Sequence, residues 1–104
     1  MRLIFAGSSQ FAVPALRGLL EVSPPVLVLS RPERPAGRNL KPRLCPLAEF
    51  AQSKGLPLFQ PEDVNSPDSV RSIRSLEADL LITASYGALL RKPLWESTRL
   101  GAIN

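Results

Sequence analysis

The most constraining feature of this chain is a set of short segments, residues 2–6, 26–29 and 80–84, that are almost wholly apolar and do not alternate with polar residues. A strand of that kind must be covered on both faces, the condition met in a parallel sheet flanked by helices. The intervening segments carry helical spacing. Ser8 or Ser9 caps a helix that begins near Phe11, with Val13, Leu16, Leu19 and Leu20 on one face and Pro14 in the first turn, and Pro24-Pro25 ends it. Leu47, Phe50 and Ala51 mark a second helix, closed by Lys54-Gly55, and Leu56–Phe59 follows as a short strand. Asn65 or Ser66 caps a third helix with Pro67 at its first position and Val70, Ile73 and Leu76 behind it. Leu100–Asn104 reads as the first half of a fifth strand. This order predicts an α/β fold, a three-layer open parallel sheet of Rossmann-like form, truncated after the start of the fifth strand. One stretch stands apart: the prolines at 32, 35 and 42 with Gly37 predict a long loop without regular structure until about Leu44.

In open parallel sheets ligands bind outside the carboxyl ends of the strands. The pattern therefore nominates Gly7 to Phe11, Ser30 onward, Ser85 to Leu90, and Asn104. The Gly7-Ser8-Ser9-Gln10 turn is expected to present free amides at a helix amino terminus, able to hold an anion or a carbonyl oxygen. It is no dinucleotide fingerprint, because G-x-G-x-x-G is absent.

A chain of 104 residues has room for one domain. No apolar run approaches the roughly 18 residues of a membrane-spanning helix, so no membrane association is expected. Cys45 is the single cysteine and cannot form an internal disulfide, which fits a reducing, cytoplasmic setting. With no histidine and one cysteine, no metal site is expected.

Charge is unevenly placed. Arg31, Arg34, Arg38, Lys41 and Arg43 share residues 31–43 with Glu33 alone, so that stretch carries the whole net charge of +4. Cations on a proline-stiffened backbone suit a phosphate backbone such as RNA. A charged loop that merely faces solvent is the plainer alternative.

Four blocks then fall in one order: Met1–Gly7 with Phe11-Ala12-Val13-Pro14; Arg34-Pro35-Ala36-Gly37-Arg38 with Lys41-Pro42; Ala78-Asp79-Leu80 with Tyr86–Leu90; and Arg99–Asn104. In this ordered set the chain resembles the amino-terminal portion of the catalytic domain of the methionyl-tRNA formyltransferase family, over nearly all of residues 1–104. The resemblance implies a formyltransferase version of the Rossmann-like fold, 10-formyltetrahydrofolate as co-substrate, initiator methionyl-tRNA as partner, and a monomer in the full-length family. It implies that Tyr86, Gly87, Ala88, Leu89 and Leu90 line the slot for the pterin ring. Gly7 and Phe11 would border the aminoacyl pocket, and Arg34, Arg38, Lys41 and Arg43 would meet the acceptor end of the tRNA. Ser8-Ser9-Gln10 departs from the family's usual residues at that turn.

Asn104 matches the first member of the family's catalytic set, an Asn, a His two residues later and a more distant Asp. Formyl transfer develops an oxyanion that amide and imidazole donors stabilise. Because the chain has no histidine, the expectation is an incomplete fragment without turnover of its own. Two other functions share some of these features. A formyltransferase acting on a sugar nucleotide or glycinamide ribonucleotide would keep the sheet and the asparagine, and a non-catalytic basic RNA-binding module would keep only the cations.

Overall fold

The computed structural model describes residues 1–36 and 41–104. In chain order its elements are β1 (Leu3–Gly7), α1 (Val13–Val22), β2 (Leu27–Leu29), β3 (Arg34–Ala36), β4 (Lys41–Arg43), α2 (Pro46–Ser53), β5 (Leu58–Phe59), α3 (Pro67–Arg74), β6 (Leu80–Ala84), α4 (Lys92–Trp95) and β7 (Ala102–Ile103). Five described strands form one parallel sheet in the order β5-β2-β1-β6-β7. The chain starts in the middle of the sheet, builds outward to β5, and then crosses to the other side of β1 for β6 and β7.

The absence of alternation in β1 has a direct structural cause. Successive side chains leave a strand on opposite faces, and here both faces are covered. Ile4 and Ala6 pack with Leu29 and Leu81 beneath Val70 and Ile73 of α3 and Leu94 of α4. Phe5 packs with Val28 beneath Leu16 of α1 and Leu47, Ala48 and Ala51 of α2. Each large apolar side chain so buried contributes about 1.5–3 kcal/mol, so neither face can be left open. The result is the expected three-layer α/β arrangement.

Local chemistry sets the boundaries. Ser9 accepts a hydrogen bond from the Phe11 amide at 3.2 Å and opens a single 3-10 turn, Gln10–Ala12, that runs into α1. Gly55, at φ 67°, ends α2 in the left-handed region as anticipated. Ser66 is the N-cap of α3, its hydroxyl accepting from the Ser69 amide at 3.1 Å. The single turn α4 was not anticipated, because four residues are too few to show a helical period.

The expectation of a loop without regular structure up to Leu44 is overturned. β3 and β4 pair antiparallel, with Arg34 opposite Arg43, Pro35 opposite Pro42 and Ala36 opposite Lys41. Proline is excluded from a ladder only where its missing N–H would have donated. In an antiparallel pair every second cross-strand couple exchanges no hydrogen bonds. Two prolines placed directly opposite one another take such a couple and leave no bond unmade.

Candidate active site at the carboxyl ends of the strands

β1 is where the topology divides, since the chain leaves it toward β2 and later returns on its far side as β6. A crevice opens outside the carboxyl ends of such strands, and the residues that follow β1, β2 and β6 meet there. Ser8 joins all three. Its buried hydroxyl donates to the Tyr86 carbonyl at 2.7 Å and accepts from the Arg31 amide at 3.1 Å.

In the turn after β1 the Ser8 and Ser9 amides are not free, contrary to expectation. The Ser8 and Ser9 amides donate to the Ser85 carbonyl at 3.0 and 3.5 Å, and the Phe11 and Ala12 amides donate to the Ser9 hydroxyl and carbonyl. Those donors hold the neighbouring loop and open the 3-10 turn. Gly7 is required by packing: a Cβ there would lie 2.7 Å from the Ala84 carbonyl oxygen and 2.9 Å from both Ala12 Cβ and Leu47 Cδ2. Phe11, by contrast, is 77% exposed.

A cleft of about 410 Å3 lies between the segment that follows β6 and the end of β7, lined by Tyr86, Ala88, Leu89, Leu90, Trp95, Ile103 and Asn104 among others. Four of the five residues expected to line one slot are thus brought together with Asn104. The fifth, Gly87, lines an adjoining groove of about 180 Å3 with Arg31, Arg34 and Tyr86. Lys41 and Arg43 line neither, and Arg38 lies outside the described residues. Tyr86 has two roles. It belongs to the core beneath α3, and it forms a wall common to both hollows. Burial, with a smaller contribution from Cys45, pushes its phenol up to about 12, so the group stays neutral across the physiological range.

Three polar contacts around the cleft and its adjoining groove were not anticipated. The Thr83 hydroxyl donates to the Asn104 side-chain oxygen at 3.2 Å, an arrangement that leaves the amide nitrogen of Asn104 as the group with donors to offer. Asn65, the alternative to Ser66 as the cap of α3, uses its carboxamide on the segment after β6, donating to the Leu89 carbonyl and accepting from the Arg91 amide, each at 2.8 Å. These pairs are separated by 21, 24 and 26 residues, and no local pattern signals them. Trp95 was also missed, although a lone tryptophan soon after Tyr86-Gly87 is visible in the sequence.

The β3–β4 ribbon gives the basic stretch a face. Side chains two apart on a strand share a side, so Arg34, Arg43 and Lys41 project together and Pro35 and Pro42 project opposite. All three cations are exposed, and among the described residues no carboxylate pairs with them. Arg34 directly opposite Arg43 is a repulsive couple. The ribbon follows β2, so it rises from the same end of the sheet as the cleft.

The profile of a family described as formyl transferase matches residues 1–104. The chain is 45% identical to a methionyl-tRNA formyltransferase of Acidothermus cellulolyticus, in an alignment covering all of this chain and 32% of that protein. Proteins of the same description from Methylococcus capsulatus and Paracoccus denitrificans are each 40% identical, again over the whole chain and over 34% and 35% of theirs. The chain therefore spans about a third of the length of the curated relatives it matches. With the sheet, the order of its strands and the match over its whole length in agreement, this chain belongs to the formyl transferase family.

Proposed function

We propose that residues 1–104 form the amino-terminal portion of the catalytic domain of a 10-formyltetrahydrofolate-dependent methionyl-tRNA formyltransferase. The observation that carries this reading is the juxtaposition of two features at one end of the sheet. One is an apolar cleft with Asn104 at its side; the other is a cationic ribbon with no carboxylate partner among the described residues, preceded by Arg31, whose amide donates to the Ser8 hydroxyl. The relatives' names support the substrate, and the geometry supports the division of labour.

The cleft fits a folate. Small-molecule sites run from roughly 300 to 1,000 Å3 and are mainly apolar with a few fixed polar groups. Here Leu89, Leu90, Trp95 and Ile103 supply apolar wall, and Thr83 and Asn104 supply the polar groups. The folate supplies the formyl group. Leu89 and Leu90 exclude water from one side of the pterin, Tyr86 closes the floor as a neutral group, and Asn104 offers its side-chain N–H to the oxygen that gains charge as the methionyl amine attacks. Arg34, Lys41 and Arg43, with Arg38, hold the acceptor end of the RNA by its phosphates. The 104 residues contain no imidazole, so this chain by itself is expected to bind without turning over.

The test is an equilibrium titration with initiator methionyl-tRNA and with an elongator tRNA, using the wild-type chain and Arg38→Ala. Preference for the initiator that is lost in Arg38→Ala supports the reading. Equal, salt-sensitive binding of both tRNAs would make the chain a general RNA-binding module. No tRNA binding, with retained folate binding, would move it toward a formyltransferase of small nucleotides.

A further inference from the structure

Resting on the folate reading of the cleft, we propose that Asn65 is a positioning residue that fixes the wall between the two hollows. That wall, Tyr86–Leu90, leaves the sheet at β6 and is pinned at its near end by the Ser8 hydroxyl on the Tyr86 carbonyl, 2.7 Å. Between the pins Gly87 sits at φ 97°, and a Cβ built there would meet nothing within 4 Å. At the far end the carboxamide of Asn65 donates to the Leu89 carbonyl and accepts from the Arg91 amide, both at 2.8 Å. A planar side chain with one donor and one acceptor engaged on a single backbone segment fixes both its height and its orientation.

Asn65 is itself set from behind. Its backbone amide donates to the Asp63 carboxylate at 2.9 Å. The carboxamide reaches the wall from the side of the smaller groove, whose lining it shares with Arg31 and Arg34. Leu89 is 75% exposed, so apolar packing does not keep it in place. Asn65 does, and with Leu89 and Leu90 it sets the width of the slot on the opposite side of the wall.

The probe is 5-formyltetrahydrofolate, titrated into the wild-type chain and into Asn65→Ala, Asn65→Asp and Ser66→Ala. Asn65→Ala is expected to weaken folate binding about tenfold, the effect of unpinning a wall held by two hydrogen bonds. Asn65→Asp keeps the acceptor for the Arg91 amide and loses the donor to Leu89, so its loss is expected to be about threefold. Ser66→Ala removes the neighbouring cap and lowers the melting temperature, yet it should leave folate affinity unchanged. Amide exchange at Arg91 should quicken in Asn65→Ala, stay close to wild type in Asn65→Asp, which keeps the acceptor, and not change at Ile82 in β6. If Asn65→Ala binds folate as the wild type does, or Ser66→Ala weakens it equally, the positioning role is overturned while the folate reading stands. A wild-type chain without measurable folate affinity would instead remove the reading, and this proposal with it.

Discussion

The two ends of the parallel sheet are built from similar materials and do opposite things. At the amino end, Asp79 accepts from the Arg2 amide at 2.7 Å and from Arg99 Nε at 2.9 Å, and the Arg2 guanidinium donates twice to the Leu76 carbonyl. The Asp79 amide donates to the Arg2 carbonyl and the Leu100 amide to the Asp79 carbonyl, each at 2.7 Å. Cations there are consumed by fixed partners within the chain. At the carboxyl end, Ser8 and Asn65 tie loops together, but a cleft of about 410 Å3 stays open and Arg34, Lys41 and Arg43 keep no carboxylate among the described residues. Charge that finds its partner inside the fold stabilises; charge held away from one is available to a ligand.

The sharpest way to break this contrast is at Gly7, where the open end rests on close packing. Gly7→Val forces side-chain atoms into the Ala84 carbonyl, Ala12 and Leu47. A loss of about 3 kcal/mol or more is expected, read as a collapse of the urea midpoint, because overpacking there meets backbone as well as side chain. Retention of the wild-type midpoint would show that the site relaxes.

Next in size, replacing Arg34, Lys41 and Arg43 together with Ala should cut tRNA affinity by more than tenfold. It should reduce the slope of log affinity against log salt by roughly 2–3, since each phosphate contact contributes about 0.7–0.9 to that slope. Replacing Pro35 and Pro42, which project from the opposite face of the ribbon, should leave the slope unchanged. An equal effect from the two faces would deny the ribbon its sidedness.

At the closed end the expected effect is smaller and depends on pH. The Arg2 amide, and then the Arg99 side chain, hold the Asp79 carboxyl below its ordinary value of 3.8. A depressed carboxylate adds stability that is present above the unfolded value and is lost as pH falls through the folded one. Wild type should therefore lose stability faster than Asp79→Asn below about pH 4, with folate and tRNA binding at neutral pH alike in the two. A cleft that responds to Asp79→Asn would mean that the ends of the sheet are not independent.

Smallest is a spectroscopic change. Tyr86 is the single tyrosine, so its absorbance titration is unambiguous and should centre near 12 in the folded chain against 10.0 when unfolded. Because the unfolded state releases this proton first, stability should fall as pH rises from about 10 toward 12. A midpoint near 10.0 in the folded chain would place the phenol in solvent.

The sheet was legible because its signal is local. Residues 3–6 and 80–82 are apolar at consecutive positions, and Gly55, Ser66 and Pro67 mark helix ends by their own conformational preferences. The ribbon was misread for a related reason. Pro35 and Pro42 each forbid a strand when taken singly, and only their pairing opposite one another removes the conflict. Ser85 to Leu90 were nominated by their position after a strand, and the slot that Tyr86 and Leu90 would line was implied by the family resemblance. Asn65 and Thr83 were not, because each acts on a segment more than twenty residues away.

The sequence by itself determined the layering, the strands of the parallel sheet, the caps of its main helices, and the concentration of positive charge in one stretch, since each follows from the preference of a residue for its neighbours in the chain. Tertiary structure decided which amides remained available after β1, how the prolines were reconciled, and which side chains hold the wall of the cleft. Those outcomes depend on groups far apart in the chain meeting at hydrogen-bonding distance, and only the sheet's order of strands brings them together.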